Sequence, residues 1–255
     1  MDLSNPACVL ITGASGAIGA ALAREYATAG RMLILHGRDA ARLQLLARQC
    51  EARGARVRTL ELDLRDGQAA VGMLREFSGT HPVDLAIVNA GVTSAIGNGE
   101  EVENFSRCRD LLMVNLDGAL ATVAAVLPDM RRRGRGQIAL MSSLAAYYGM
   151  SVTPTYCASK AALKAYGEAL RTWLASQGVA VSVVMPGFIE SAMSTSLSIP
   201  KPFMMRPERA ARLIRRALAR NRARIAFPFP ASWGAWWLSV LPPDLSGLIL
   251  RRLGY

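Results

Sequence analysis

Tyr156 and Lys160 stand four residues apart in the run Tyr156-Cys157-Ala158-Ser159-Lys160. On a helix, positions i and i+4 share one face, so the phenol and the ammonium would be neighbours. A free phenol has a pKa of about 10 and exchanges protons poorly at neutral pH. A nearby positive charge favours its ionised form and lowers that value. Ser143 lies thirteen residues before Tyr156, behind Ser142 and the apolar run Ile138–Met141. Its hydroxyl is therefore expected at the carboxyl end of a strand, where open α/β sheets bind ligands. Together the three groups suit proton exchange at a carbonyl or alcohol oxygen, with the serine holding the oxygen and the phenol trading the proton. Cys157, beside the phenol, reads as a small packing residue rather than a nucleophile.

A second constellation lies near the start. Thr12-Gly13-Ala14-Ser15-Gly16-Ala17-Ile18-Gly19 joins the apolar run Ala7–Thr12 to the amphipathic run Ala17–Ala29. Glycines there let the backbone turn tightly and approach a pyrophosphate. The first turn of the following helix offers unpaired N–H groups and a positive dipole end. Gly13, Ser15, Gly16, Ile18 and Gly19 are the candidate contacts, with an ordinary strand–helix turn as the competing reading. At the end of the next strand an acid would accept from ribose hydroxyls and repel a 2′-phosphate. This chain instead has His36-Gly37-Arg38. An arginine fork suits a phosphate dianion, so NADP(H) is expected over NAD(H). Asp39 comes next and can cap the following helix.

These groups need a scaffold. Strands are expected at Ala7–Thr12, Met32–His36, Val57–Glu61, Leu85–Val88, Gln137–Met141 and Ala180–Met185. Helices are expected at Ala17–Ala29, Ala40–Arg53, Gln68–Ser78, Phe105–Arg132 and Tyr156–Ser176. The strands are short, aliphatic and without polar alternation, as strands covered on both faces are. Their alternation with helices predicts an α/β fold: a single doubly wound, Rossmann-type domain with a parallel sheet of about seven strands and helices on both faces.

The 255 residues contain no stretch that reads as a linker, so one domain is expected. Residues 1–224 would form its oxidoreductase body and 225–255 an apolar extension. Four cysteines (8, 50, 108, 157) and two histidines (36, 81) show no metal-ligand spacing, and no metal is expected. An apolar strand within ten residues of Met1 leaves no room for a signal peptide and predicts a cytoplasmic protein. The net charge of +11 would suit nucleic acid, an anionic membrane or an acidic substrate. Eight arginines gather in Arg206–Arg224 beside one acid, Glu208. That segment has helical periodicity and no nucleic-acid reader motif, so no nucleic-acid partner is expected.

Thr12–Gly19, Asp63-Leu64, Asn89-Ala90-Gly91, Asn115, Ser143, Tyr156–Lys160 and Pro186-Gly187 follow one another in an order that resembles the short-chain dehydrogenase/reductase family, over roughly residues 7–190. The resemblance implies an NADP(H)-dependent oxidoreductase acting on alcohol or carbonyl groups. It makes Tyr156 the general acid/base and Ser143 the holder of the substrate oxygen. Lys160 would lower the phenol's pKa and, with Tyr156, meet the nicotinamide ribose. Asn115 would hold a water that links Lys160 to solvent. Asp63 and Leu64 would sit beside the adenine, and Asn89-Ala90-Gly91 would lie under the cofactor. Pro186, Gly187, Ile189 and Ser191 would meet its nicotinamide end. Three positions depart from the family pattern: Ala17 where Gly is usual, Val88 where Asn is usual, and Ser191 where Thr is usual. None removes a catalytic group. Homodimers or homotetramers, built through the Phe105–Arg132 and Tyr156–Ser176 helices, are implied as well.

The segment Phe188–Arg206 resembles the family's substrate lid. Its Met193, Leu197, Ile199, Phe203, Met204 and Met205 suggest an apolar or bulky substrate, or alternatively plain packing onto the core. The end of the chain lacks the Gly-rich final strand of the acyl-carrier-protein reductases. Ile225–Pro243 is nineteen residues without a charge and holds Trp233, Trp236 and Trp237. Its four prolines oppose a single spanning helix. Two readings stand equally: contact with the inner face of a membrane, or a cover over the pocket or a subunit interface. Alternatives for the whole chain are a membrane-associated protein of this fold with a scaffold role, and an acyl-thioester ketoreductase.

Overall fold

A computed structural model of the chain describes residues 3–94, 96, 102–197 and 199–255. Seven strands form one parallel sheet: β1 (Cys8–Ile11), β2 (Met32–Gly37), β3 (Arg56–Glu61), β4 (Leu85–Val88), β5 (Gly136–Met141), β6 (Val179–Pro186) and β7 (Arg224–Phe227). Their order is β3-β2-β1-β4-β5-β6-β7. The direction of winding reverses between β1 and β4, which makes that crevice the expected ligand site of a doubly wound sheet.

The sheet is aliphatic on both sides because both sides are covered. Val9, Ile11, Leu33 and Leu35 pack with α1 (Ala17–Tyr26), α2 (Ala40–Glu51) and, later in the chain, α8 (Pro207–Ala219). Cys8, Leu10, Ile34 and Ala86 alternate to the other face. There they meet α3 (Gly67–Thr80), α5 (Gly118–Arg132) and α6 (Pro154–Trp173). Polar caps set the helix starts that matter here. The Asp39 carboxylate accepts from Arg42 N at 3.0 Å and opens α2.

Three elements differ from the sequence expectation. The continuous helix expected over Phe105–Arg132 is broken: α4 (Phe105–Leu112) passes through a π-helical turn, Met113–Asp117, before α5. By length and composition this run could cross a bilayer, yet most of its apolar window is buried in the fold. The helix expected from Tyr156 begins earlier, because Pro154 takes a first-turn position where its missing N–H costs nothing. The apolar tail begins inside the sheet. Ile225 and Phe227 of β7 enter the core, so only the chain beyond Phe227 lies outside the sheet. It forms α9 (Ala231–Val240) and α10 (Pro243–Arg252). Between β6 and α8 lies the short helix α7 (Ala192–Thr195).

Candidate active site

The turn after β1 has almost no spare volume. Gly13 sits at φ +64°, and a Cβ there would come 2.7 Å from Ala90 Cα. A Cβ on Gly19 would lie 2.3 Å from Gly13 O. The turn is also tied to the end of β4. Thr12 Oγ1 accepts from the N–H groups of Asn89 and Ala90 at 3.0 and 3.1 Å. Asn89 Nδ2 donates back to Thr12 O and Gly13 O at 3.0 and 3.1 Å. These bonds fix the crevice mouth. Gly16 precedes α1 with no side-chain cap, so the helix presents its first-turn donors to a ligand. A Cβ on Gly16 would meet only Gly13 O, at 3.3 Å. Uncapped donors above a glycine-lined turn fit a pyrophosphate.

Gly37 is buried at the end of β2, and a Cβ there would stand 3.0 Å from Ser15 Oγ. Arg38 is exposed beside it. Asp63 accepts from Arg65 Nε at 2.9 Å and from the Arg65 guanidinium terminus at 2.6 Å. That pairing holds its carboxyl below the usual range, with Arg38 adding a smaller pull. Leu64 is buried next to Gly118, whose added Cβ would meet it at 2.8 Å.

Across the crevice, Ser142 and Ser143 divide the work. Ser142 is buried and donates to Lys160 O at 2.7 Å, which binds α6 to the end of β5. Ser143 turns the other way. Its hydroxyl reaches Pro186 O at 3.4 Å and accepts from Ala145 N at 3.1 Å. It also stands close enough to Tyr156 to favour the phenolate. Lys160 Nζ lies 5.6 Å from the Tyr156 ring centre and donates to Met141 O at 2.9 Å. Desolvation pushes the Tyr156 phenol up to about 12, and Ser143 draws it partly back. The same effect brings Lys160 down to about 8. Burial thus outweighs the acidifying effect expected from the sequence, since desolvation is the largest cause acting on Tyr156 and the one acting on Lys160.

Asn115 lies in the π-helical turn and is fully buried. Its Oδ1 accepts from Val92 N at 2.7 Å, and its Nδ2 donates to Val92 O at 3.0 Å and to Ser159 Oγ at 3.1 Å. Ser159 passes the contact on to Tyr156 O at 2.7 Å. The extra residue of a π turn aims this amide at α6, and such turns recur at functional sites. Gly91 fills the gap: a Cβ there would fall 3.2 Å from Lys160 Nζ and 3.3 Å from Asn115 Oδ1.

Pro186 ends β6, and Gly187 donates to Phe227 O at 2.8 Å. Ile189 is buried and bridges to Met205, which closes Phe188–Arg206 at its base. Ser191 caps α7 through a reciprocal bond with Ser194. Within this flap Leu197 and Met205 are buried, whereas Met193, Phe203 and Met204 are exposed. The packing reading thus holds for Leu197 and Met205.

Two positioning residues escaped the sequence reading. Gly13 N–H donates to His36 Nδ1 at 3.4 Å, leaving Nε2 to donate to Leu62 O at 3.0 Å. Burial holds this imidazole neutral by lowering its pKa. Glu103 accepts from Thr155 N at 3.1 Å and Thr155 Oγ1 at 2.5 Å, at the start of the helix that carries Tyr156. Both partnerships span more than twenty residues, and no local signal marks them.

Residues 7–201 match the model of the short chain dehydrogenase family. An uncharacterised oxidoreductase of Myxococcus xanthus is 34% identical over 245 residues, covering 96% of each chain. A very-long-chain 3-oxoacyl-CoA reductase of Neurospora crassa is 30% identical over 235 residues, 89% of this chain and 68% of that one. A short-chain dehydrogenase from Sphingobium yanoikuyae, solved in complex with NADPH, superposes with a TM-score of 0.79 at 27% identity, over 95% of this chain and 94% of the other. With its Rossmann-type sheet and a family match across most of its length, the chain belongs to the short-chain dehydrogenase/reductase family of oxidoreductases.

Proposed function

We propose that this protein is an NADP(H)-dependent oxidoreductase that interconverts a carbonyl and a secondary alcohol on an apolar or bulky substrate. The observation that carries the reading is Ser143 at the end of β5 beside Tyr156, with the Lys160 ammonium 5.6 Å from the centre of the phenol ring. Bound NADP(H) supplies or accepts the hydride. The protein's own groups handle the oxygen and its proton. Ser143 Oγ holds the substrate oxygen. Tyr156, with its pKa near 12, is protonated at neutral pH and ready to donate from Oη as an alkoxide develops. Lys160, at about 8, is mostly cationic at pH 7 and faces the negative charge left on the phenol. Asn115, through Val92 and Ser159, keeps α6 in register with the strand ends.

The preference for the phosphorylated cofactor rests on Gly37 and Arg38. No carboxylate stands at either position, and Ser15 Oγ crowds any side chain at 37. The exposed Arg38 guanidinium suits a 2′-phosphate. The remaining cofactor contacts assigned by resemblance, from Gly13 to Ser191, are part of the same proposal. So is a body of residues 1–224 carrying the flap 188–206, extended by 225–255. A homodimer or homotetramer is supported by exposed Phe105, Leu112 and Trp173 on α4 and α6, and a cytoplasmic location is part of the same proposal. A second reading, an acyl-thioester ketoreductase, is favoured by the Neurospora relative, whose name specifies very-long-chain 3-oxoacyl-CoA. Contact of residues 225–255 with the inner face of a membrane is favoured by the exposed tryptophans of α9.

A carbonyl panel that includes a 3-oxoacyl thioester, assayed with NADPH and NADH, tests the reading. Tyr156→Phe should lower kcat by about 10²–10⁴-fold while cofactor fluorescence still reports binding; full turnover in that variant removes Tyr156 as the acid. Arg38→Ala should weaken NADPH by about 10- to 100-fold, the loss of a charge-assisted contact. An equal change for NADH would refute the cofactor assignment.

A further inference from the structure

The tail beyond β7 is fastened over the substrate side of the molecule. Helix α9 packs on the turn Leu144–Ala146, which directly follows Ser143. Tyr148 Oη donates to Pro243 O at 2.9 Å, holding the start of α10 to the next part of that loop. At the far end Tyr255 Oη donates to Pro200 O at 2.9 Å, in the flap that follows Pro186-Gly187. Hairpin and flap thus form one rim, tied together by Tyr255 and to the loop after Ser143 by Tyr148.

The outer side of this rim is apolar. Trp233, Trp236 and Trp237 are 57%, 39% and 42% exposed, and none of the residues of α9 is buried. Their rings lean edge-on against one another, with centres 5.8 and 5.2 Å apart. Leu245 and Leu248 of α10 are exposed as well, as are Phe203 and Met204 of the flap. A lone exposed leucine needs no explanation, but a contiguous patch of tryptophans marks an interaction surface.

Charge selects the occupant. From Ile225 to Tyr255 there is one acid, Asp244, while Arg251 and Arg252 are exposed in the last turn of α10. The flap adds Lys201 and Arg206 against Glu190. A symmetric contact between two copies would set this same basic patch against itself. An anionic bilayer instead places phosphates beside the arginines and the acyl–headgroup boundary beside the indoles, where tryptophan concentrates.

We infer that the α9–α10 hairpin, with Met193, Phe203 and Met204 of the flap, forms one docking surface for an anionic bilayer, and that a lipid-soluble carbonyl or alcohol substrate reaches Ser143 and Tyr156 from the membrane. The inference rests on the oxidoreductase reading for its second half only. Docking itself depends on the hairpin.

The test uses the full chain, sedimented with vesicles of phosphatidylcholine alone or mixed with phosphatidylglycerol. The wild type should bind the anionic vesicles, with a blue shift of tryptophan emission. Trp233→Ser/Trp236→Ser/Trp237→Ser and, separately, Arg251→Glu/Arg252→Glu should each weaken binding by about tenfold or more. The triple variant should keep kcat/KM for a short water-soluble ketone and lose about tenfold for a long-chain ketone dissolved in vesicles, following its lost affinity. Three results would overturn the inference: no wild-type binding to anionic vesicles, equal use of the vesicle-borne ketone by both proteins, or a dimer that the triple variant dissociates without any vesicle binding. If no carbonyl is turned over in any form, the oxidoreductase reading fails, and sedimentation still decides the docking.

Discussion

The turn between β1 and α1 and the hairpin at the chain's end are both rich in glycine or small residues, yet they are opposite kinds of structure. Around Gly13 and Gly19 every added methyl group meets backbone within 3 Å, and Thr12, His36 and Asn89 pin the loop by hydrogen bonds. Around Gly234 in α9 nothing lies within 4 Å, and Gly247 in α10 has only Tyr148 Oη at 3.9 Å. The first region is shaped by the exclusion of volume. The second is held at a few points and offers its side chains outward. On the proposed reading, precision belongs to the cofactor side and adaptable surface to the side from which substrate would arrive.

That contrast can be broken most directly at Gly19. Gly19→Ala sets a methyl group 2.3 Å from Gly13 O and 2.9 Å from Ala14 Cα, which are backbone atoms that cannot swing aside. It should cost about 1–3 kcal/mol in denaturant unfolding, as overpacking does, and should weaken cofactor binding. An unchanged midpoint together with unchanged cofactor affinity would show that the turn is not tight. The opposite sign is expected at Gly234, inside an exposed helix with open space around it. Gly234→Ala should stabilise by about 0.5–1 kcal/mol, through helix propensity and a less free unfolded chain. Loss of stability there would mean that α9 is crowded.

The smallest effect concerns pH. His36 has its pKa lowered in the fold, so the native state keeps it neutral while the unfolded chain takes up a proton below about 6.5. The unfolded state then binds more protons, and stability falls as pH drops through that range. Thermal midpoints should decline less steeply on acidification in His36→Gln than in the wild type. Identical slopes would remove the imidazole from the loop's support.

Much of the cofactor side was legible in the sequence because its demands are local. Gly13 needs a positive φ, Tyr156 and Lys160 need helical spacing, and Asp39 needs a helix to cap. The substrate side was less legible. Strand β7 hides between an arginine-rich helix and an uncharged tail, and its four residues declare themselves only by pairing with β6. The flap's apolar residues split into buried Leu197 and exposed Phe203, a choice no periodicity encodes.

The residue order alone determined a doubly wound sheet, a glycine turn before a helix, and a serine, tyrosine and lysine spaced to meet at a strand end. These follow from backbone sterics and periodicity, which act over a few residues. The tertiary structure decided how those groups are tuned. Burial raises the Tyr156 phenol and lowers the Lys160 ammonium. The π turn aims Asn115 at Val92 and Ser159, and His36 braces Gly13 from the neighbouring strand. Desolvation and contacts between distant segments do not exist until the chain has closed on itself, and so no stretch of sequence displays them.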